Sequence, residues 1–340
     1  MKRLVILFML SCCAFAFLNA LEIEEGRMRV VIDDRSGRMA FYYLADMTRN
    51  QYEPLLYDQE SRTSYPTLVL DQRTYKLGES GDFRISVSRQ PGGATIEYRS
   101  AFCVVRQRIT FVSSTTSSLA DGISMLFEIE NISEKDYSAG LRYLLDTWLG
   151  EKSGRHFTSP VTGPLQGESL LSGEFPERWM LSTGDNATAA VLLDTPSTRP
   201  DRTIFANWKR INDAPWLIEV NTTRGFTLLP YSINDSALAL YYDPVSLRRG
   251  ATRSITVVLG NESISSLVNR VADEDSPSIA ASFTTLSDAA PLDLRADLIT
   301  VRDFIRAINT LLGSGEEPSQ DELDSLKSVL ERLETRKSSY

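Results

Sequence analysis

From Leu21 to about Gly260, apolar and polar residues alternate along the chain. Met28, Val30 and Ile32 alternate with Arg27 and Arg29, and Phe83, Ile85 and Val87 with Arg84, Ser86 and Ser88. Met125, Phe127 and Ile129 do so with Ser124, Leu126, Glu128 and Glu130, and Ile255, Val257 and Leu259 with Ser254 and Thr256. A period of two sends successive side chains to opposite faces of a strand. Asp33-Asp34-Arg35-Ser36-Gly37 and Pro91-Gly92-Gly93 supply tight turns between such runs. Turns this frequent, with one polar face per strand, predict a mainly β protein built as a large antiparallel β-sandwich. Roughly 14 to 16 strands are expected, too many for one immunoglobulin-sized unit. The body is therefore one oversized sandwich or two fused ones.

The stretch Gly140-Leu141-Arg142-Tyr143-Leu144-Leu145-Asp146-Thr147-Trp148-Leu149-Gly150-Glu151 occupies the centre of this pattern. As a strand it puts Leu141, Tyr143, Leu145 and Thr147 on one face, and Arg142, Leu144, Asp146 and Trp148 on the other. An Arg and an Asp on one face predict that this face opens toward solvent or a cleft. Asp146 is most simply a strand-end residue, pairing with Arg142 or capping a turn. From Lys152 to Asp185, Gly and Pro interrupt the alternation repeatedly, and a connection this long is expected to be functional or packed over something.

After Gly260 the periodicity changes. Glu262 to Val271 suits a short helix, and Ala272 to Pro291 reads as a Ser/Asp/Ala/Thr linker. Leu294, Leu298, Val301, Ile305, Ile308 and Leu312 then recur at heptad-like steps up to Gly313-Ser314-Gly315. A second start signal, Pro318 with acidic residues after it, precedes a seam of Leu323, Leu326, Leu330 and Leu333. Two stripes joined by a short loop predict a C-terminal α-helical hairpin. Either the stripes bury against each other and the β body, or part of the seam (Leu298, Val301, Ile305, Ile308, Leu312, Leu326, Leu330, Leu333) is left for another chain. The expected organisation is a leader at 1–20, the β body at 21–261, a short helix and linker at 262–290, and the hairpin at 291–340.

The leader changes the compartment. Lys2 and Arg3 precede an apolar run from Leu4 to Leu18, with Ala20 before Leu21, the pattern of a cleaved export signal. Leu10-Ser11-Cys12-Cys13 offers a competing lipid-attachment site, although the apolar Ala14 to Leu18 follows it where a polar tether is the norm. No later stretch approaches the roughly 20 apolar residues of a membrane span. Cleavage leaves Cys103 as the sole cysteine, so no internal disulfide forms, and a bacterial periplasm fits better than a eukaryotic secretory route. Losing Lys2 and Arg3 takes the formal charge from −9 to −11. That balance argues against nucleic acid, whose binders need a basic face.

Candidate chemistry is sparse. His156 is the only histidine, which excludes a multi-histidine metal site, and no cofactor or metal is expected. Flanked by Arg155 and Phe157, it reads as an ordinary loop residue. There is no nucleophile elbow, phosphate loop or dinucleotide fingerprint. Cys103, in an apolar run, is a poor nucleophile. What remains is carboxylates near the four tryptophans. Arg142, Asp146, Trp148, Trp179, Asn207 and Trp208 are the candidate ligand-binding residues: ring faces stack on sugar C–H groups while polar side chains take hydroxyls. A carboxylate pair such as Asp146 and Glu174 is the candidate for glycosidic chemistry.

Two segments carry a family resemblance. One is Asn131-Ile132-Ser133 leading into Gly140 to Gly150. The other runs from Ser236 to Val245, continues through Leu247 to Gly250 and closes at Val257-Val258-Leu259-Gly260, with Asn207-Trp208 between the two. The pattern resembles exported bacterial β domains of the galactose-mutarotase-like supersandwich type. The resemblance implies the fold. Members of that superfamily that act on sugars use histidines with a carboxylate in a concave sheet, and this chain has only His156, so no catalytic residue carries over. The expectation is a non-catalytic periplasmic binding or scaffold protein acting on an envelope protein partner or by self-association. The alternative is a carbohydrate-binding or carbohydrate-active domain with a glycan as partner.

Overall fold

The computed structural model describes residues 20–58, 63–115, 117, 119–269, 297, 301, 304, 305, 308 and 320–338. The strands in chain order are β1 (Ala20–Glu25), β2 (Met28–Asp33), β3 (Met39–Asp46), β4 (Gln51–Pro54), β5 (Tyr65–Leu70), β6 (Arg73–Lys76) and β7 (Arg84–Gln90). There follow β8 (Gly93–Arg99), β9 (Cys103–Val112), β10 (Gly122–Asn131), β11 (Tyr137–Thr147), β12 (Thr158–Ser159), β13 (Gly163–Pro164) and β14 (Ser169–Ser172). The last are β15 (Trp179–Thr183), β16 (Thr188–Leu192), β17 (Arg202–Asn207), β18 (Ser236–Leu247) and β19 (Thr252–Asn261). Two helices, α1 (Trp208–Asp213) and α2 (Gln320–Lys337), and a 3-10 helix at Glu262–Asn269 complete the set.

Sheet order is β1-β2-β3-β4 in a meander, β13-β12-β15-β16-β19-β10-β9-β8-β7 in a nine-stranded sheet, and β14-β17-β18-β11-β5-β6 in a six-stranded sheet. All three sheets contribute to one apolar core, with Phe41 and Ile32 from the meander, Phe127 and Val257 from the large sheet, and Tyr143 and Leu240 from the smaller one. The body is thus a single oversized antiparallel sandwich. The strand count exceeds the expected range because two-residue pairings such as β12–β13 leave no alternation to read.

Strand β10 shows why the pattern was legible. Ile123, Met125, Phe127 and Ile129 are fully buried in the core. The opposite face carries a cross-strand ion ladder, Arg106 to Glu130 at 2.8 Å, Arg106 to Glu97 at 3.2 Å and Arg108 to Glu128 at 2.9 Å. On β11 the register against β18 shifts between Ala139 and Leu141, leaving Gly140 at a bulge. A Cβ there would lie 2.8 Å from Pro244 N and 2.9 Å from Tyr242 O, so only glycine fits.

The outer faces of both large sheets are covered. Ile264, Leu267 and Val268 of the 3-10 helix close over Leu192 and Val258, with Trp179 and Leu181 packed alongside. Helix α1 and the segment 214–220 lie over Tyr65, Leu144, Ile204 and Tyr241 of the six-stranded sheet. The face holding Arg142 and Asp146, expected to open to solvent, is therefore buried. Its cover is supplied by residues about 70 positions further along the chain, as the Arg142 contacts show.

The C-terminal helical residues pair as a stripe, though shifted from the expected one. Phe304, Leu326, Val329 and Leu333 are buried together, with Val301 and Ile308 against them. Ile305 and Leu330 point outward at 52% and 48% exposure. Arg336 Nε donates to both carboxylate oxygens of Asp297, at 3.0 and 2.9 Å. Leu298 and Leu312 lie outside the described residues, as do residues 1–19 of the expected leader and the 270–290 stretch. Among the described residues no helix is long and apolar enough to cross a membrane.

Candidate functional site

Six residues were singled out from sequence, and the structure separates them. Arg142 is fully buried, and its Nη1 donates to the carbonyls of Ile211 (3.2 Å), Ala214 (3.1 Å) and Trp216 (2.9 Å). Its Nη2 donates to Thr67 Oγ1 at 3.2 Å. The guanidinium therefore closes the C-terminal end of α1, where orphaned carbonyls concentrate negative charge. Asn207 caps the other end, its Oδ1 accepting from Lys209 N at 3.0 Å. Asn207 Nδ2 donates to Phe226 O, Ser232 Oγ and Asp235 O, which fastens the 226–235 hairpin. Trp208 packs on the same outer face and donates its indole N–H to Thr63 O at 2.9 Å. Trp179 lies on the outer face of the nine-stranded sheet.

Asp146 ends β11 and sits in a group that sequence alone did not assemble. Carboxylate oxygens of Asp146, Glu151 and Asp235 lie within 4.8 Å of one another. Pairing of Thr147 with Ser236 brings Asp235 to the end of β11, and Ser236 N donates to Glu151 Oε1 at 2.8 Å. Burial, with Asp235 and Glu151 nearby, pushes the Asp146 carboxyl up to about 8 against an opposing hydrogen bond from Thr63. Burial likewise pushes Glu151 up to about 7, and it raises Asp235. Three such oxygens could ligate a hard divalent cation. Without one, Asp146 and Glu151 hold protons near neutrality. Glu174, by contrast, is exposed after β14, so it does not share the environment of Asp146.

Of the six, Trp148 lines an open cavity. The cleft has a volume of about 370 Å³, and three sheets contribute to its walls. Glu53 comes from β4, Trp148, Lys152 and Arg155 from the connection after β11, and Asp185 and Asn186 from the β15–β16 turn. The Trp148 indole N–H donates to Pro54 O at 3.2 Å, which fixes the ring plane, and Lys152 Nζ sits 5.6 Å from its centroid. Asn186 Nδ2 donates to Glu53 Oε1 at 3.0 Å across the cleft. Lys152, Arg155 and Asp185 enter no ion pair among the described residues. His156, expected to be an ordinary loop residue, is buried with its ring 4.4 Å from Phe226, and its Nδ1 has no hydrogen-bond partner. Burial lowers its pKa.

No protein-family model matches the chain, and no curated protein matches it. Solved structures similar to it include a galactose mutarotase-like protein from Lactobacillus casei, at 10% identity and a TM-score of 0.45, covering 72% of this chain and 100% of that one. A GalM/aldose epimerase homologue from C. elegans aligns at 9% identity and a TM-score of 0.46, covering 72% and 98%. A galactose mutarotase-like protein from Clostridium acetobutylicum aligns at 9% identity and a TM-score of 0.42, covering 72% and 95%. The likeness is one of fold.

Proposed function

We propose that this chain is an exported, non-catalytic saccharide-binding protein whose site is the cleft beside Trp148. The observation that supports the reading is a fixed tryptophan ring on the wall of a roughly 370 Å³ cleft whose other groups, Lys152, Arg155 and Asp185, are free of ion pairs. An aromatic face with polar groups free of ion pairs around it suits a ring with C–H faces and equatorial hydroxyls. The volume lies at the low end of the ~300–1,000 Å³ usual for small-molecule sites, which favours one or two sugar units. The carboxyls with raised pKa, the kind a general acid needs, belong to Asp121, Asp146, Glu151 and Asp235, none of which lines the cleft. Binding without turnover is the reading this separation favours.

Screening the protein against a glycan array, followed by titration calorimetry on the hits, tests the proposal. Binding with unchanged ligand recovered afterwards is expected, and silence across the array would refute it. Export to the periplasm is part of the proposal and rests on the leader at 1–20. N-terminal sequencing of protein from an envelope fraction distinguishes a start at Leu21 from an acylated Cys12 or Cys13. Docking of an envelope protein on the hairpin is the second reading, favoured by the outward Ile305 and Leu330. Deleting 291–340 should then abolish a co-purifying partner or self-association.

A further inference from the structure

We infer that the hairpin tip Leu229-Pro230-Tyr231-Ser232-Ile233 is a lipid-contacting element that seats in the headgroup region of an uncharged bilayer. Leu229 and Ile233 are 72% exposed and Tyr231 is 67% exposed, the three most exposed large apolar side chains among the described residues. Isolated exposed leucines are ordinary, but three within one tight turn form a concentrated apolar point.

The backbone of the tip is partly hydrogen-bonded within itself. Leu228 N donates to Ser232 O, and Ser232 N to Leu228 O, both at 3.0 Å, while Tyr231 N donates to Leu228 O at 2.8 Å. Pro230 has no N–H to satisfy. Three N–H groups are thus satisfied internally, and those of Leu229 and Ile233 are left for the water of the headgroup region. The tip is also ordered in advance. Asn234, at φ 52°, donates its N–H to Thr227 Oγ1 at 3.0 Å, and Asn207 Nδ2 holds Ser232 Oγ at 2.9 Å. Little ordering entropy is left to lose on docking.

Charge and size choose the medium. Lys209 Nζ lies 5.0 Å from the Tyr231 ring centroid, so a cation sits behind the tip at the level where a headgroup would meet it. Asp213 Oδ2 accepts from the same Nζ at 2.7 Å, and the chain is acidic overall, so attraction to anionic lipid does not drive contact. A specific protein interface uses ~20–30 residues a side, and three convex side chains fall far short. A fluid apolar boundary needs no such complementarity, and amphipathic elements enter it by ~5–10 Å.

Co-sedimentation of the full chain with phosphatidylcholine vesicles, with and without phosphatidylglycerol, tests this. Residues 4–18 are themselves apolar, so the reading is the difference between wild type and the triple variant Leu229→Ser, Tyr231→Ser, Ile233→Ser. Wild type should bind both vesicle types alike and insensitively to salt. The triple variant should partition at least ~100-fold less, with an unchanged thermal midpoint because the three side chains face solvent. Equal partitioning of the two proteins, absence of wild-type binding, or binding confined to phosphatidylglycerol vesicles and abolished by salt would each overturn it. So would a triple variant that loses a co-purifying protein while vesicle binding is intact.

Discussion

Arg142 on β11 and Trp216, 74 residues later, are joined by a hydrogen bond of 2.9 Å from guanidinium Nη1 to main-chain carbonyl. Tyr241 Oη donates to the same carbonyl at 3.1 Å, and its ring meets that of Trp216 edge-on at 5.4 Å. One buried cation thus ties the covering segment to the sheet beneath it. Replacing Arg142 with Ala strands three carbonyls and should cost about 3 kcal/mol or more. Thermal unfolding should fall by ~5–10 °C for a domain of this size, with Trp fluorescence shifting red as Trp216 is wetted. Arg142→Lys should recover only part of the loss, because one ammonium lacks the planar fork that reaches carbonyls and Thr67 together.

The acid cluster makes stability depend on pH. Asp146 is 6% exposed and binds its proton up to about pH 8, whereas in the unfolded chain it releases it near ~4. Between those values the folded state holds more protons, so stability falls as pH rises. Asp146→Asn removes the part of that dependence due to Asp146 and leaves the part due to Glu151 and Asp235. Urea midpoints of the two proteins should agree at pH 4 and separate toward pH 8 in favour of the variant, by at most about 5 kcal/mol. Midpoints that stay parallel across the range would mean Asp146 is ionised in the fold.

Asn207 works at two places at once, as cap of α1 and as clamp of the 226–235 hairpin. Asn207→Ala should cost about 2–3 kcal/mol, roughly 1 for the cap and the rest for unpaired carbonyls. Asn207→Asp keeps the cap but turns a donor into an acceptor facing Phe226 O and Asp235 O, and should be worse than Ala at neutral pH. Hydrogen exchange at Leu228 and Ser232 reports the clamp directly.

At the cleft, Trp148→Ala should lower saccharide affinity by ~10–100-fold and also cost stability, since the ring packs partly against the core. Arg155→Ala and Lys152→Ala, both exposed, should lower affinity while moving the thermal midpoint within the ~0.5 kcal/mol typical of surface changes. Calorimetry alongside melting curves separates the two effects.

The β body was readable because a half-buried strand writes its register in a period of two, as β10 does. Cover is not written that way. The face bearing Arg142 and Asp146 looked open because the residues that close it, Ile211 to Val220, lie elsewhere in the chain and carry no pattern that points back. Asp146 was a candidate from sequence and Glu151 closes the same stretch, but Asp235 was not singled out. Only the β11–β18 register, Thr147 against Ser236, brings it in. Trp148 was singled out, but its cleft neighbours come from three sheets, so no local spacing joins them. In the hairpin, seam and observed stripe share Val301, Ile308, Leu326 and Leu333 and differ at the middle step. A step of three from Val301 and Leu326 reaches Phe304 and Val329, where a step of four reaches Ile305 and Leu330.

The walls of the cleft are a strand and two connections rooted in three separate sheets, and the side chains of Lys152, Arg155 and Asp185 stand clear of the packed interior. Those exposed positions can change residues without asking the core to adjust. A lineage carrying this body can therefore retune what it recognises one wall at a time, while the architecture that presents the recess is inherited unchanged.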